Sequence, residues 1–274
     1  MRLAIEHLTE YRYDGAPNTS IQYVRLTPRA DAVQRVLSWK VEAPGRLTPW
    51  TDGFGNAVHT VVQDADHHHL PILASGEVET FETHGVLPHV PGGLPPEAFL
   101  RATPRTQPDA GVRDLAARLA HDDLLSGLHA LTSGIHALVA YDQDQTHVAT
   151  TAAETLVKGA GVCQDQAHLF IACCLAWGVP ARYVSGYLLV PAGDGRHLAT
   201  HAWAEAFVPG LGWVSFDPSN CQSATEAYVR LAVAFDYEGA APVRGLRQGG
   251  GAEDMRVAVR VKDMAEPERG GEAQ

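Results

Sequence analysis

The first 85 or so residues show the alternation of apolar and polar positions that is typical of β-strands. Leu37, Trp39 and Val41 are each separated by one polar residue, which is the period of two expected for a strand with one buried face. Residues 51–56 form a cluster of turn-forming types and precede the β-rich segment 57–62. We therefore predict an N-terminal β-rich unit over residues 1–85.

A proline-rich stretch follows this unit. Residues 86–108 hold six of the 17 prolines in the chain, and proline interrupts both helices and central strands. The pattern predicts a linker over residues 86–108.

The next segment changes to helical spacing. Apolar residues recur at helical intervals over 109–121 and 124–140, which predicts two helices that pair as a helical hairpin. Thr151 and Glu154 have the spacing of a capping box, and Gly159 and Gly161 end the short helix that it begins. An almost wholly apolar segment, 162–177, predicts a central helix that is buried on most sides.

The last part of the chain again reads as strands. Segments 182–190, 197–208 and 212–216 predict three of them, and Val257, Val259 and Val261 indicate a late strand. We therefore predict an α+β protein with a core over residues 109–265 and a flexible tail over residues 266–274.

Composition and charge reduce the number of function classes that the chain can belong to. The formal net charge of −11 and the lack of a basic stripe exclude a nucleic-acid surface. The N-terminus shows no apolar signal core, and no apolar run approaches the roughly 20 residues that cross a bilayer, so we expect a soluble, cytoplasmic protein without a membrane partner. The chain has four cysteines without paired spacing: Cys163, Cys173, Cys174 and Cys221. Such spacing fits free thiols in a reducing compartment.

One of these cysteines has a setting suited to chemistry. Cys163 falls on the first turn of the central helix, where unpaired N–H groups and the helix dipole favour a thiolate and can face an oxyanion. His201 lies on a predicted strand and can act as a base. Asp217 lies at the end of the next predicted strand and can hold the imidazole ring of His201 in one tautomer. The three residues predict a nucleophile, a base and its orienter.

Whether His201 and Asp217 can meet depends on the register in which their two strands pair. His201 and Asp217 lie on neighbouring predicted strands, and they share a face only if the connecting loop has an odd number of residues or a bulge. We predict a three-residue loop, 209–211. A two-residue loop would place the two side chains on opposite faces.

Taken together, these motifs resemble the transglutaminase-like superfamily of papain-type thiol enzymes, and specifically its bacterial members with a β-rich N-terminal region. The resemblance is carried in order by residues 52–56, 161–168, 180–187, 201–203, 212–213 and 217–218. It implies a core in which a helix packs on an antiparallel sheet, with Cys163, His201 and Asp217 as the catalytic residues. The chain departs from the family pattern at Gln166, where an aromatic residue is usual, a change expected at the wall of the acyl pocket.

The expected reaction is acyl transfer from a peptide or carboxamide through a thioester on the cysteine. Resolution by water would make the protein a cysteine peptidase or amidase, which we favour because no second-substrate motif is evident. Resolution by an amine would make it a transamidase, and a non-catalytic binding module that keeps the triad is a third alternative. The expected partner is a peptide or protein substrate, and a homo-oligomer is left open.

Three further residues are candidates for contact with substrate or oxyanion. Gln164 and Asp165 follow the cysteine on the first helical turn, where they either line the cleft or simply suit the helix dipole. Trp203 is two residues from His201, and we expect it to pack over the triad.

Two other motifs are interpreted as structural. Consecutive strand residues point to opposite faces, so His67, His68 and His69 cannot supply three ligands to one ion on a regular strand, and we predict a solvated loop. Residues 249–251 are three glycines without the trailing lysine of a phosphate loop, and we predict a flexible turn. We therefore expect chemistry without a metal or other cofactor.

Overall fold

The computed structural model describes residues 1–88, 93–144, 146–190 and 200–265. Its strands are β1 (Arg2–Tyr13), β2 (Pro17–Val24), β3 (Gln34–Glu42), β4 (Arg46–Thr51), β5 (Ala57–Gln63), β6 (His69–Thr80), β7 (Val86–Leu87), β8 (Ala140–Tyr141), β9 (Ala160–Gly161), β10 (Ala181–Leu188), β11 (Thr200–Val208), β12 (Gly212–Phe216), β13 (Tyr228–Ala234), β14 (Val243–Gly249) and β15 (Glu253–Asp263). Its helices are α1 (Ala110–Arg118), α2 (Leu124–Leu138), α3 (Ala152–Lys158), α4 (Cys163–Ala176) and α5 (Tyr237–Ala240), with a 3-10 helix at Pro96–Leu100.

Two four-stranded antiparallel sheets make up the N-terminal part. One has the order β15-β1-β6-β3 and the other β14-β2-β5-β4. Their inner faces share one apolar core, to which Leu3 and Ile72 contribute from the first sheet and Val24 and Val61 from the second. Each buried face stabilises the other, because a sheet with one apolar side must cover it against another layer.

The alternation predicted around Leu37 is interrupted by a bulge. β3 pairs Val36 with Val78 and then Ser38 with Glu77, so Leu37 is the extra residue. Trp39 keeps its place against the core, whereas the Leu37 side chain is 40% exposed. The strand prediction was correct, but the prediction that Leu37 shares the face of Trp39 was wrong, because an inserted residue shifts the phase of the pleat.

The second part is built around α4, as predicted. Every residue from Asp165 to Cys174 is buried, and the helix lies against β11 and β10 of a five-stranded sheet with the order β13-β10-β11-β12-β7. Helices α1, α2 and α3 pack around α4. The prediction that α1 and α2 pair as a hairpin was wrong, because each of them packs mainly against α4 and not against the other.

The last two strands of the chain return to the sheets of the N-terminal part. β14 pairs with β2, and β15 pairs with β1 along its whole length. The late strand was predicted, but its partner was not. Within the predicted linker, β7 pairs with β12 at the edge of the five-stranded sheet.

The domain bounds of the sequence analysis stay a prediction, and the predicted flexible tail, 266–274, lies outside the described residues. Within the described ranges, no helix combines the length and the hydropathy needed to cross a bilayer.

Candidate active site

The nucleophile candidate stands at the start of the buried helix. The capping box of Thr151 and Glu154 begins α3 as predicted, and Gly159 ends it in the left-handed region with φ 63°. The chain then passes through β9 to Val162, whose N–H donates to Asp165 Oδ2 at 2.9 Å. This bond fixes the first turn of α4, so Cys163 is held at the helix N-terminus.

The register between β11 and β12 is the one that brings His201 and Asp217 together. Val208 pairs with Gly212 and Ala204 pairs with Phe216, so the loop holds three residues, 209–211. The predicted loop length is confirmed. His201 and Asp217 consequently lie on the same face of the sheet.

The two side chains are in direct contact. His201 Nε2 lies 2.7 Å from Asp217 Oδ2, and both side chains are almost completely buried. The same carboxylate oxygen accepts a hydrogen bond of 2.7 Å from Asn220 Nδ2 and another of 2.7 Å from the Tyr228 hydroxyl. Burial by itself would raise the pKa of Asp217, but the charge of His201 and these hydrogen bonds outweigh it and lower the pKa below its ordinary value.

His201 faces both the carboxylate and the cavity that holds the thiol. Nε2 lies against Asp217, so Nδ1 is the ring nitrogen left for Cys163, which lines the same cavity as His201. Burial would lower the pKa of His201, but the charges of Asp217 and Cys163 raise it from 6.5 to about 10. The structure therefore brings together the three residues that the sequence singled out, with the imidazole stabilised in its protonated form.

Sequence reasoning missed the donors that support the carboxylate. Asn220 follows Asp217 by three residues in a turn, and its N–H as well as that of Ser219 donates to Oδ1 at 3.3 and 3.0 Å. The Asp-Pro-Ser-Asn turn was a local signal that could have identified Asn220. Tyr228 comes from β13, and Gln222 donates to its hydroxyl at 2.8 Å; no local pattern pointed to either.

The other candidate residues have different surroundings. Gln164 is partly exposed and lines the same cavity as Cys163. Asp165 is buried under the first helical turn, and burial, partly offset by the N–H of Val162, raises its pKa. Trp203 is fully buried and stacks on His201, with ring centroids 6.2 Å apart. It packs behind the triad, as expected.

Gln166 does not border the cleft. Its side chain is buried, and Nε2 donates to the Val139 carbonyl at 3.1 Å. It is absent from the described lining of the cavity. The expectation that this departure alters the acyl pocket was wrong, because the side chain at this position of α4 turns toward the end of α2.

Cys163 and His201 open into a cavity of about 380 Å³ between the two parts of the molecule. One side is formed by the core residues Tyr183 and Ser185 of β10 and Tyr237 of α5. The other side is formed by β1 and β15 of the N-terminal sheet. Strands β1 and β15 thus cover the cleft beside the thiol.

The three consecutive histidines have separate partners. His67 Nε2 lies 2.9 Å from Ser20 Oγ, His68 Nδ1 lies 3.3 Å from the Tyr13 carbonyl, and His69 Nε2 lies 2.9 Å from Glu10. His67 is buried and His69 begins β6, so the predicted solvated loop is correct only for His68. Within the described ranges, no group of three side chains is placed to hold a metal ion.

The three glycines of residues 249–251 lie where β14 ends. All three have positive φ, between 62° and 92°; Gly249 is the last residue of β14, and Gly250 and Gly251 lie in the turn before β15. A side chain would be strained at these angles. The predicted turn is therefore confirmed at Gly250 and Gly251.

Comparison with known proteins assigns the family. Residues 113–218 match the transglutaminase-like superfamily, and residues 3–79 match the bacterial transglutaminase-like N-terminal region. The chain belongs to the transglutaminase-like superfamily. Its fold is the α+β arrangement that the sequence predicted.

The similarity to individual relatives extends over nearly the whole chain. An uncharacterised protein of Mycobacterium tuberculosis is 32% identical, covering 89% of this chain and 87% of the relative. An uncharacterised protein of Mycobacterium leprae is 29% identical, covering 96% and 99%. A solved structure from Cytophaga hutchinsonii, described as a putative cysteine protease, has 21% identity and a TM-score of 0.79, covering 97% of this chain and 92% of its own. This last likeness shows that the two proteins share a fold.

Proposed function

We propose that this protein is a thiol-dependent acyl-transfer enzyme that hydrolyses peptide or carboxamide bonds. The observation that carries the proposal is the grouping of Cys163, His201 and Asp217, with Cys163 and His201 open to one cavity and Asp217 closed in by hydrogen bonds. A nucleophile, a base and an orienting group in this arrangement are the requirements of covalent acyl transfer.

The first half of the reaction forms a thioester. The Cys163 sulfur attacks the carbonyl carbon, and the carbonyl oxygen becomes an oxyanion. Asp165 and Gln166 donate their N–H groups to the Val162 carbonyl, so those of Cys163 and Gln164 are the ones that the helical start leaves for the oxyanion. The protonated His201 gives its Nδ1 proton to the leaving amine as the C–N bond breaks.

The second half returns the enzyme to its starting state. His201 is now neutral and takes a proton from a water molecule as the oxygen of that water attacks the thioester carbon. The C–S bond breaks, the acid leaves, and thiolate and imidazolium are restored. Asp217 holds the ring throughout and stays ionised.

The first experiment measures whether Cys163 is activated. Purified protein is treated with iodoacetamide at pH 6, and the four cysteines are followed by peptide mass spectrometry. Cys173 and Cys174 are buried, whereas Cys221 is exposed and is the matched control. We expect Cys163 to be alkylated before the more exposed Cys221, because the adjacent imidazolium stabilises the thiolate. His201→Ala should remove this advantage.

Two outcomes would contradict the proposal. One is Cys221 reacting at the same rate as Cys163 or faster in the wild-type protein. The other is an unchanged preference for Cys163 in a folded His201→Ala variant. Either would favour a binding module that keeps the triad without turnover.

The second experiment separates hydrolysis from transamidation. The protein is incubated with a glutamine-containing peptide library and a labelled primary amine, with Cys163→Ala as the control. Hydrolysis predicts cleaved peptide or released ammonia without incorporated label. Incorporation of the amine that depends on Cys163 would instead identify a transamidase.

A further inference from the structure

The wall of the cleft opposite the core is made by two paired strands of the N-terminal sheet. In β1 and β15, three residues of each strand face the cavity as directly opposed pairs: His7 with Val259, Thr9 with Val257, and Tyr11 with Met255. We call these six residues the roof. The neighbouring residues of β15, such as Ala258, point to the other face of the sheet and are exposed.

The roof presents apolar surface that the free protein leaves uncovered. Met255 is 55% exposed and Val257 is 45% exposed, although both lie on the face of β15 that continues into the apolar core at Val259 and Val261. Exposed apolar side chains on a concave wall of an active site are suited to be covered by a substrate.

Outside the triad, the described lining of the cavity carries no formal charge. Among the described residues that line it, none is an aspartate, glutamate, lysine or arginine. His7 is neutral there, because burial lowers its pKa to about 4, and its ring nitrogens are occupied by the Tyr187 and Thr9 hydroxyls at 2.9 and 3.0 Å. The charge of the site is confined to the triad.

A charged substrate group against this wall would lose its hydration without gaining a partner. Such a transfer is strongly unfavourable, whereas an apolar group gains by leaving water. The wall therefore discriminates against both signs of charge. The overall charge of the protein, which is negative, would by itself favour basic substrates, so the two effects predict different preferences.

We propose that the roof is the specificity-determining wall of the cleft and selects substrates with an uncharged, apolar side chain close to the reacting carbonyl. This inference rests on the proposed function, because it assigns the substrate class of the same site. Val257 lies at the centre of the exposed apolar part of the roof and is the residue at which a change should alter the preference most.

The test uses capped dipeptidyl acyloxymethyl ketones that differ only in the side chain beside the ketone: phenylalanine, leucine, lysine or glutamate. The thiolate forms a thioether with the methylene carbon, and the carboxylate leaves. Each rate is divided by the iodoacetamide rate of the same protein, which reports the thiol alone. We expect the apolar probes to react at least about tenfold faster than both charged probes.

Matched variants on the two faces of β15 test whether the preference for apolar probes comes from the roof. Val257→Asp should reduce the ratio of the phenylalanine rate to the lysine rate about tenfold, because it gives the lysine probe a partner. Ala258→Asp adds the same charge to the same strand on the opposite face and should leave this ratio unchanged. Val257→Thr keeps the shape without the charge and should have a smaller effect.

Three results would overturn the inference. Equal rates for apolar and charged probes, with Cys163 still preferred by iodoacetamide, would remove the specificity and leave the proposed function intact. An equal change of the ratio in both aspartate variants would mean that net charge, and not the roof, governs selection. Failure of iodoacetamide to prefer Cys163 would reject the proposed function and this inference with it.

Discussion

At the scale of single residues, the unusual feature of the site is how heavily the Asp217 carboxylate is hydrogen-bonded. Oδ2 is shared by His201, Asn220 and Tyr228, while Oδ1 accepts from two backbone N–H groups. Each donor favours the ionised carboxylate, and charge-assisted bonds of this kind are stronger than neutral ones. The buried negative charge in turn favours a protonated His201.

Replacing this carboxylate should therefore affect both activity and the imidazole. In Asp217→Asn we expect the pKa of His201 to fall, because the largest charge that raises it is lost. We also expect kcat/KM to fall roughly a thousandfold, because the ring loses its orienting partner. Ring-proton NMR titration and peptide hydrolysis measure the two effects.

A milder variant keeps this prediction testable if the asparagine variant unfolds. Tyr228→Phe removes one donor to Oδ2 and leaves the carboxylate in place, so we expect a higher pKa for Asp217 and roughly a tenfold loss of activity. Tyr23→Phe, at an exposed tyrosine, is the control. Full activity in a folded Asp217→Asn protein would contradict the role assigned to the carboxylate.

At the scale of elements, the site depends on a helix start and a hairpin loop. α4 supplies the sulfur and its first N–H groups, and the β11–β12 hairpin supplies the imidazole and the carboxylate. Gly210 has φ 86° and nothing near the position of a side chain, so this residue makes no side-chain contact with the site. The length of the loop matters, because it sets the register.

Deleting Gly210 tests this dependence. The two remaining loop residues would force a slip of one residue, which moves His201 and Asp217 to opposite faces, or would break strand pairs. We expect the preference of iodoacetamide for Cys163 to be lost. Gly210→Asn keeps three residues and tolerates the left-handed conformation, so it should retain the preference; retention in the deletion variant would show that the register can be restored another way.

At the scale of the whole molecule, the triad links stability to pH. The pKa of His201 is about 10 in the folded protein and near 6.5 when unfolded, so the folded state holds an extra proton between these values. The contribution of the imidazole itself is complete below about pH 6.5 and is lost as the pH rises through 10. On the acid side, the lowered pKa of Asp217 means that its stabilisation is lost as the pH falls through that value.

The measurement compares the free energy of unfolding of the wild type and His201→Ala between pH 6.5 and pH 10. We expect the difference between the two proteins to shrink as the pH rises. His84→Asn, at a side chain that is 92% exposed, controls for loss of a histidine. A difference that stays constant across this range would contradict the raised pKa.

The sequence was most informative where structure is local. The capping box at Thr151, the start of α4 and the three-residue hairpin loop each depend on residues close in the chain, and each was predicted. The bulge at Leu37, the support of Asp217 by Tyr228 and the pairing of β15 with β1 depend on distant segments. No local period or propensity reports such contacts, so the roof of the cleft could not be predicted.

The pairing of β15 with β1 also has a consequence for how the protein folds. Leu3 pairs with Asp263 and also with Val78, so one neighbour of β1 is close along the chain and the other is near the opposite end. The entropy lost on closing a loop rises with its length, and contacts between distant residues slow folding. We therefore expect β1 to join β6 early and β15 late, so that the thiol becomes enclosed only in the closing stage of assembly.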